Sequence, residues 1–464
     1  MIGFWAEARC GAAAHQSTNP AIQKSVWECP GRGRREAGTF SLFQQSSPSR
    51  VATRREQTDA YRSGAWEYYR AMNKRNHPGL STTAVHGGEI RYNEYGAITT
   101  PVVQTSTFIF KSTEEIRKLK KGIKGRYEYG RYGHPTQVAA EGKLAALENA
   151  QDAVLFSSGM SAITTTLYAL LNTGDHLIIT DDAYKRTLDF CKLCLPRFGI
   201  ECTVVKMGDY AAIQRAIRKS TRLFMSESPT NPYLNIVDLE RLIGIFRRRK
   251  DVLIISDSTF ATPYNQRPLE WGVHLVTHSA TKYLGGHNDL MAGVVLGRKA
   301  LTDPIREYLK ITGGCIDPHS SYLLIRGLKT FELRMQRHNE NGQAVAEFLE
   351  QDPRVKRVYY PGLPSHPHHD VARQQMKGYG GVVTFVVKDD TRYVHRFLSR
   401  LKFISIGPSL GGVESLITHP ASISYYLCTK EERLKLGIRD GLIRLACGIE
   451  NAEDIIEDIR QALE

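Results

Sequence analysis

Long apolar runs are missing from this 464-residue chain. Stretches such as "DVLIIS" and "GGVVTFVV" fall far short of the roughly 18 residues that suggest a membrane span, so no transmembrane segment is expected. Cysteine is sparse too. Eight residues (Cys10, Cys29, Cys191, Cys194, Cys202, Cys315, Cys428, Cys447) lie scattered without the density or spacing of a disulfide framework. With no secretory signal ahead of them, a reducing, cytoplasmic setting is expected. Cys191 and Cys194 form a CxxC in the helical-looking "LDFCKLCLPRF", but no second cysteine pair completes a zinc site. No metal is expected there, and two packed thiols on one helical face is the reading.

Acidic residues are outnumbered, 48 Asp and Glu against 62 Lys and Arg, which gives a net charge of +14. Residues 1–80 hold 12 Lys/Arg and 6 Asp/Glu, so that they supply +6 of the total and leave +8 for the other 384 residues. Small anionic substrates explain so mild a balance as well as nucleic acid does. An Arg-rich tail that bound nucleic acid would do so with strong salt dependence; no nucleic-acid partner is expected. Residues 1–75 lack sustained apolar periodicity and read as a disordered extension. Six acidic residues and the lack of a clear amphipathic helix count against a transit peptide, and synthesis starting near Met72 is an alternative.

From about residue 136 the pattern alternates helix and strand. "QVAAEGKLAALENA", "SAITTTLYALL" and "LERLIGIFRRR" have helical spacing, while "AVLFSS", "HLIITD", "RLFMSESP", "VLIISDS" and "VHLVTHS" are short buried strands. Such alternation predicts an α/β fold with a mostly parallel sheet, whose ligands collect at the carboxyl ends of the strands. Four segments are expected: an extension at 1–75, an N-terminal arm at 76–135, a large domain at 136–320 and a smaller α/β domain at 321–464.

Three strand ends carry groups that could meet one ligand. "VLIISD" ends in Asp257, and "VHLVTHS" ends just before Lys282. "AVLFSSGM" brings Ser158, Gly159 and Met160 to a helix start, where free N–H groups and the helix dipole favour an anion. A lysine able to form a Schiff base, an aspartate able to keep a pyridinium protonated and a cradle for a phosphate are what pyridoxal phosphate asks of a protein. Ser279 and Thr281 add hydroxyl donors beside the lysine, and Gly285 and Gly286 permit close approach and an unusual backbone path.

The motifs "SATKYLGGH", "SSGMSA", "ESPTNP", "YGRYGHPT", "SLGGVESL" and "IRLACGIE" together resemble the cysteine and methionine metabolism branch of fold-type I pyridoxal phosphate enzymes, over about residues 78–464. That branch includes cystathionine γ-synthase and the cystathionine lyases. The resemblance implies a seven-stranded large domain and a smaller C-terminal one. It implies that Lys282 carries the cofactor, Asp257 pairs with its ring nitrogen and Tyr184 stacks on the ring. Ser158, Gly159, Met160, Ser279 and Thr281 would hold the phosphate, joined by Tyr129 and Arg131 of a neighbouring subunit. Asn231 would reach the phenolic oxygen, and Arg444 would clamp the substrate α-carboxylate with Ser409 beside it. A homotetramer built as a dimer of dimers with shared active sites follows from the same resemblance.

Within the branch, "YGRYGHPT", "GGHNDLMAG" and Pro408 before Ser409 resemble the cystathionine γ-synthase type; γ-class lyases usually carry an acidic residue where Pro408 stands. The reaction so implied is γ-replacement on an activated homoserine ester (O-succinyl-, O-acetyl- or O-phosphohomoserine) with cysteine, through a vinylglycine ketimine. The alternatives are a β- or γ-lyase, or a specialised enzyme using another nucleophile. Two positions depart from the pattern: His134 where asparagine is usual, and Cys447 where valine or phenylalanine is common. His134 is either a substrate contact or a tolerated polar exchange at a turn before Pro135.

Overall fold

The computed structural model describes residues 78–90, 93–121 and 126–464; the expected extension at 1–75 lies outside them. Short runs of Val, Ile, Leu and Phe form strands β1 (Asp152–Phe156), β2 (His176–Thr180), β3 (Glu201–Val205), β4 (Thr221–Glu227), β5 (Leu253–Asp257), β6 (Leu275–His278) and β7 (Gly293–Gly297). They build one seven-stranded sheet in the order β1-β7-β6-β5-β4-β2-β3. Only β7 runs antiparallel to its neighbours, so the sheet is mostly parallel, as the alternation of elements predicts.

Both faces of this sheet are covered. Leu177, Ile179, Leu223, Met225 and Ile255 enter the core on one side, whereas Ile178, Phe224, Ile254 and Val276 enter it on the other. Double-sided burial is why these strands read as nearly continuous apolar runs instead of alternating ones. Because β1, β2, β4, β5 and β6 point the same way, their carboxyl ends share one edge.

A second sheet holds β8 (Arg357–Tyr359), β9 (Val382–Val386), β10 (Ser405–Ile406), β11 (Leu416–Thr418) and β12 (Leu442–Ala446), in the order β10-β11-β12-β9-β8. The 21-residue helix Phe331–Gln351 leads from the first sheet into the second. Its inward face (Phe331, Met335, Val345, Leu349) shares one core with Phe385, Ile443 and Leu445 of the second sheet and with Tyr283 and Leu284 from the first. This shared core places Arg444 of β12 close to the strand ends of the first sheet.

The CxxC differs from expectation. Its stretch forms a π-helical turn, Phe190–Cys194, followed by a 3-10 turn. Cys191 is buried and Cys194 half-buried; the Cys191 thiol hydrogen-bonds to that of Cys202 on β3 and also interacts with Cys194. Among the described residues, no cluster of His, Cys, Asp or Glu is arranged to hold a metal ion, and no helix is long and apolar enough to cross a membrane.

Buried ions tie the helices to the sheet edge. Arg306 reaches Glu141 at 2.8 Å and Asp152 at 3.1 Å from inside the protein. Lys143 is fully buried and donates to the Ala84 and Val85 carbonyls at 2.7 and 2.9 Å and to Glu89 at 3.0 Å. Removing one partner of such a set leaves uncompensated charge behind. Arg306→Met is therefore expected to lower stability by about 3–5 kcal/mol, read from urea unfolding midpoints against the parent protein.

Candidate active site

The strand-end edge borders a cavity of about 370 Å³ whose lining includes Ser158, Gly159, Met160, Tyr184, Asn231, Asp257, Ser279, Thr281, Lys282 and Arg444. The sequence thus named most of the wall before the fold was known. Six regions distant in sequence supply these residues: the turns after β1, β2 and β4, the carboxyl end of β5, the loop between β6 and β7, and strand β12.

Lys282 lies in a turn pinned at each end. Thr281 N–H donates to the Ala292 carbonyl at 3.2 Å, Ala292 N–H donates back to Thr281 Oγ1 at 3.0 Å, and Gly286 N–H closes on the Lys282 carbonyl at 2.7 Å. The lysine Nζ donates to Ser409 Oγ at 2.7 Å. Burial, and then the nearby Arg444 guanidinium, lower its pKa to about 8. At pH 7 about a tenth of the amine is therefore neutral and nucleophilic, far more than for an ordinary lysine. Gly285 and Gly286 do not line the cavity. Gly286 has φ +76° and sits where a side chain would strike the Arg334 guanidinium, which itself holds the Tyr283 carbonyl at 2.7 Å. These glycines serve the packing of the loop against the helices behind it.

Asp257 is buried at the floor. Its Oδ1 accepts from Thr259 N–H at 3.1 Å and from Thr259 Oγ1 at 2.6 Å, and that same hydroxyl accepts from Ser279 N–H at 2.8 Å. Burial pushes its pKa up, while the Thr259 bonds and His278 oppose the rise. Beneath it, His278 Nε2 meets the buried Glu148 at 2.9 Å.

The anion cradle is the start of helix Gly159–Leu170. Ser158 caps it, its hydroxyl accepting from Ser161 N–H at 3.1 Å, so the Gly159 and Met160 N–H groups are left without intrahelical partners. A Cβ on Gly159 would stand 2.9 Å from that of Ser279, so only glycine lets the two strand ends converge here.

Arg444 is buried. Its Nη1 donates to Asn231 Oδ1 at 3.0 Å, and its Nη2 to the carbonyls of Pro408 and Ser409 at 3.1 and 3.0 Å. The Nε has no partner, which leaves a buried donor for an incoming carboxylate. Burial lowers the guanidinium pKa to about 10. Tyr184 is half-exposed at the cavity wall, its backbone N–H held by Glu227 Oε2 at 2.6 Å.

Of the residues named from sequence, Ser409 is joined to the lining through Lys282, whereas Tyr129, Arg131 and His134 lie outside it. Tyr129 is half-exposed and pairs with Thr107 through its backbone. Arg131 lies 5.2 Å from the Tyr129 and Tyr132 ring centroids and donates to the Lys310 carbonyl at 2.8 Å. His134 is 1% exposed and caps helix Pro135–Glu148: Nδ1 accepts from Gln137 N–H at 3.1 Å while Nε2 lies 3.4 Å from the Ile316 carbonyl. The residue is a helix cap, with both ring nitrogens engaged within its own chain. Cys447 is likewise buried away from the cavity, its carbonyl taken by His338 at 2.8 Å. Two polar lining residues, Glu227 and Thr259, escaped sequence reading, as did the apolar Ile163, Phe260 and Leu410. The first stands in the quoted "ESPTNP" and the second two places after Asp257, so proximity to named motifs was the available signal.

The residues fit pyridoxal phosphate. An amine with a depressed pKa, a buried carboxylate with one oxygen fixed by Thr259, a helix start narrowed to glycine and an orphaned arginine donor all open on one cavity.

Comparison with known proteins agrees. Residues 81–464 match the model of the family described as Cys/Met metabolism PLP-dependent enzyme. The chain is 46% identical over 383 residues to cystathionine gamma-synthase 1, chloroplastic, of Arabidopsis thaliana, covering 82% of this chain and 68% of that protein. It is equally 46% identical over 388 residues to an L-methionine gamma-lyase of Fusobacterium nucleatum, covering 83% and 98%. The crystal structure of metB from Corynebacterium glutamicum superposes with a TM-score of 0.78 at 37% identity, covering 84% of this chain and 98% of that one.

Two outcomes follow from the geometry. Gly159→Ala is expected to weaken pyridoxal phosphate binding by about tenfold or more, read by absorbance titration, because the added methyl forces Ser279 away from the cradle. The rate at which the protein stripped of cofactor recaptures it should rise with pH and level off above about 8, where the Lys282 amine is neutral. Arg444→Met removes a cation that depresses this pKa, so the inflection should move to higher pH.

Proposed function

We propose that this chain, which belongs to the Cys/Met metabolism PLP-dependent enzyme family, catalyses γ-replacement on an activated homoserine ester with cysteine to give cystathionine. As a family member it is a γ-elimination/replacement enzyme that uses pyridoxal phosphate and acts on small amino-acid substrates. The observation that carries the finer reading is the cavity wall at Pro408. It is a proline, without the acidic side chain that the γ-class lyases of the resembling branch usually present there, next to the Ser409 hydroxyl bonded to Lys282.

Bound pyridoxal phosphate supplies an electron sink that stabilises negative charge beside the substrate's α-carbon. Gly159 and Met160 N–H groups with the Ser279 and Thr281 hydroxyls would hold its phosphate, Asp257 its ring nitrogen, Tyr184 its face and Asn231 its phenolic oxygen. The Asn231 amide can do so because its carbonyl oxygen is the part committed to Arg444. Arg444 binds the α-carboxylate, which fixes Cα relative to Lys282. Lys282, as a neutral amine, accepts the α-proton at Nζ and can return it, with Ser409 Oγ orienting that nitrogen. Tyr184 stands at the wall where an incoming thiol would be deprotonated. Tyr129 and Arg131, outside their own chain's cavity, would serve that of a second copy in this reading. The assembly is a tetramer of two such dimers in this reading.

The activity is tested by supplying the purified protein with each homoserine ester, with and without cysteine. Cystathionine formation that suppresses keto acid release is the expected result. Keto acid release undiminished by cysteine would establish a lyase instead. Borohydride should fix the cofactor to Lys282 and fail to do so in Lys282→Ala. In Arg444→Lys, loss of the planar fork removes about 1.5–3 kcal/mol of charge-assisted bonding, so KM should rise about 10- to 100-fold.

A further inference from the structure

Glu227 has no assigned role, yet it lines the cavity and is buried. It closes β4 where Asp257 closes β5, and the two are register partners in a parallel pair, so their side chains leave the sheet on the same face. Asp182, half-buried and bonded to Asn235 at 3.2 Å, adds a third carboxyl. Facing them are Arg444 from β12, Tyr184 from the turn after β2, Tyr425 from the segment after β11, and Lys282 across the cavity.

Side-by-side buried carboxyls do not both ionise at ordinary cost. The partners decide which one keeps the charge. Asp257 has two Thr259 donors on one oxygen and a histidine beneath it. Glu227 accepts from the Tyr184 amide and has two acids as neighbours. Arg444 pulls in the opposite direction, but its Nη groups are already committed to Asn231, Pro408 and Ser409. Burial together with Asp257 and Asp182 pushes the Glu227 pKa well above the usual carboxyl range.

We propose that Glu227 is a positioning residue: a neutral carboxyl that fixes Tyr184 over the cavity through its backbone amide and leaves Asp257 as the anionic carboxylate opposite the cofactor ring. This rests on the cofactor placement given above. A neutral carboxyl still accepts from the Tyr184 amide, though less strongly than an ionised one, and it adds no second charge to compete for the ring proton.

The test compares the holoenzyme with Glu227→Gln and Glu227→Ala. Glutamine keeps the shape and the acceptor but cannot titrate. Glu227→Gln is expected to bind pyridoxal phosphate within about twofold of the parent and to keep the pH dependence of its absorbance, while Glu227→Ala weakens binding about tenfold and diminishes the induced circular dichroism of the cofactor band. The infrared difference between parent and Glu227→Gln should contain a protonated-carboxyl carbonyl band at neutral pH. A carboxylate band in its place, or a Glu227→Gln pH profile displaced from the parent, would overturn the neutral form; unchanged binding and dichroism in Glu227→Ala would overturn the positioning role. Should Glu227→Ala fail to fold, the Glu227→Gln infrared and pH comparisons still decide. The infrared band is also readable without cofactor, so failure of borohydride to fix anything to Lys282 would defeat the site assignment separately.

Discussion

The Ser279 amide donates to the Thr259 hydroxyl, which in turn donates to Asp257 Oδ1. This two-step hydrogen-bond chain joins the loop that carries Lys282 to the strand end that carries the acid. Each bond is short, and the one ending on a carboxylate belongs to the stronger, charge-assisted class. Lys282 and Asp257 come from neighbouring strands whose ladder aligns Asp257 with Thr277, and this link carries that alignment past the ladder into the lysine loop. The rest of the site depends on that alignment, because one planar ring has to satisfy both groups at once.

Around that chain the cavity is built by convergence. Gly159 approaches Ser279 closely enough that any side chain would push the cradle open. Arg444 arrives from the second sheet, carried there by the common core between helix Phe331–Gln351 and β12. Its guanidinium is held by backbone carbonyls and an asparagine, not by a carboxylate. Its charge therefore remains available to a substrate, and it also depresses the Lys282 pKa. One buried cation thus prepares both the binding of an anion and the nucleophilicity of the amine beside it. Acids are treated in the opposite way: Asp257, Glu227 and Asp182 are gathered on the far side of the cavity, where burial raises all three.

Much of this was legible in the chain itself. Strands buried on both faces announce themselves as apolar runs, and "VLIISD" and the segment leading to Lys282 place a carboxylate and an amine at neighbouring ends of such runs. "SSGM" before a helical period marks an anion site for the same local reason: helix starts leave donors unpaired. His134 was less legible, since a histidine next to a proline looks the same whether it meets a ligand or caps the helix that follows. Its ring proved to be spent on Gln137 and Ile316, contacts that only one copy of the folded chain decides. The cysteine pair shows the same limit: its helical spacing was legible, but the π turn and the Cys202 partner of Cys191 were not.

By itself the sequence determined the α/β alternation, the cofactor-binding motifs and the chemical class of the ligand, because each depends on short spacings that local geometry converts into structure. Only the tertiary structure decided that Glu227 stands beside Asp257, that Ser409 meets Lys282 and that Arg444 keeps a donor free. Those relations span 30, 127 and up to 213 residues, as the Arg444–Asn231 bond does. No local preference acts over such separations. They are set by strand order and by the common core of the two sheets, which is where sequence periodicity ends and packing begins.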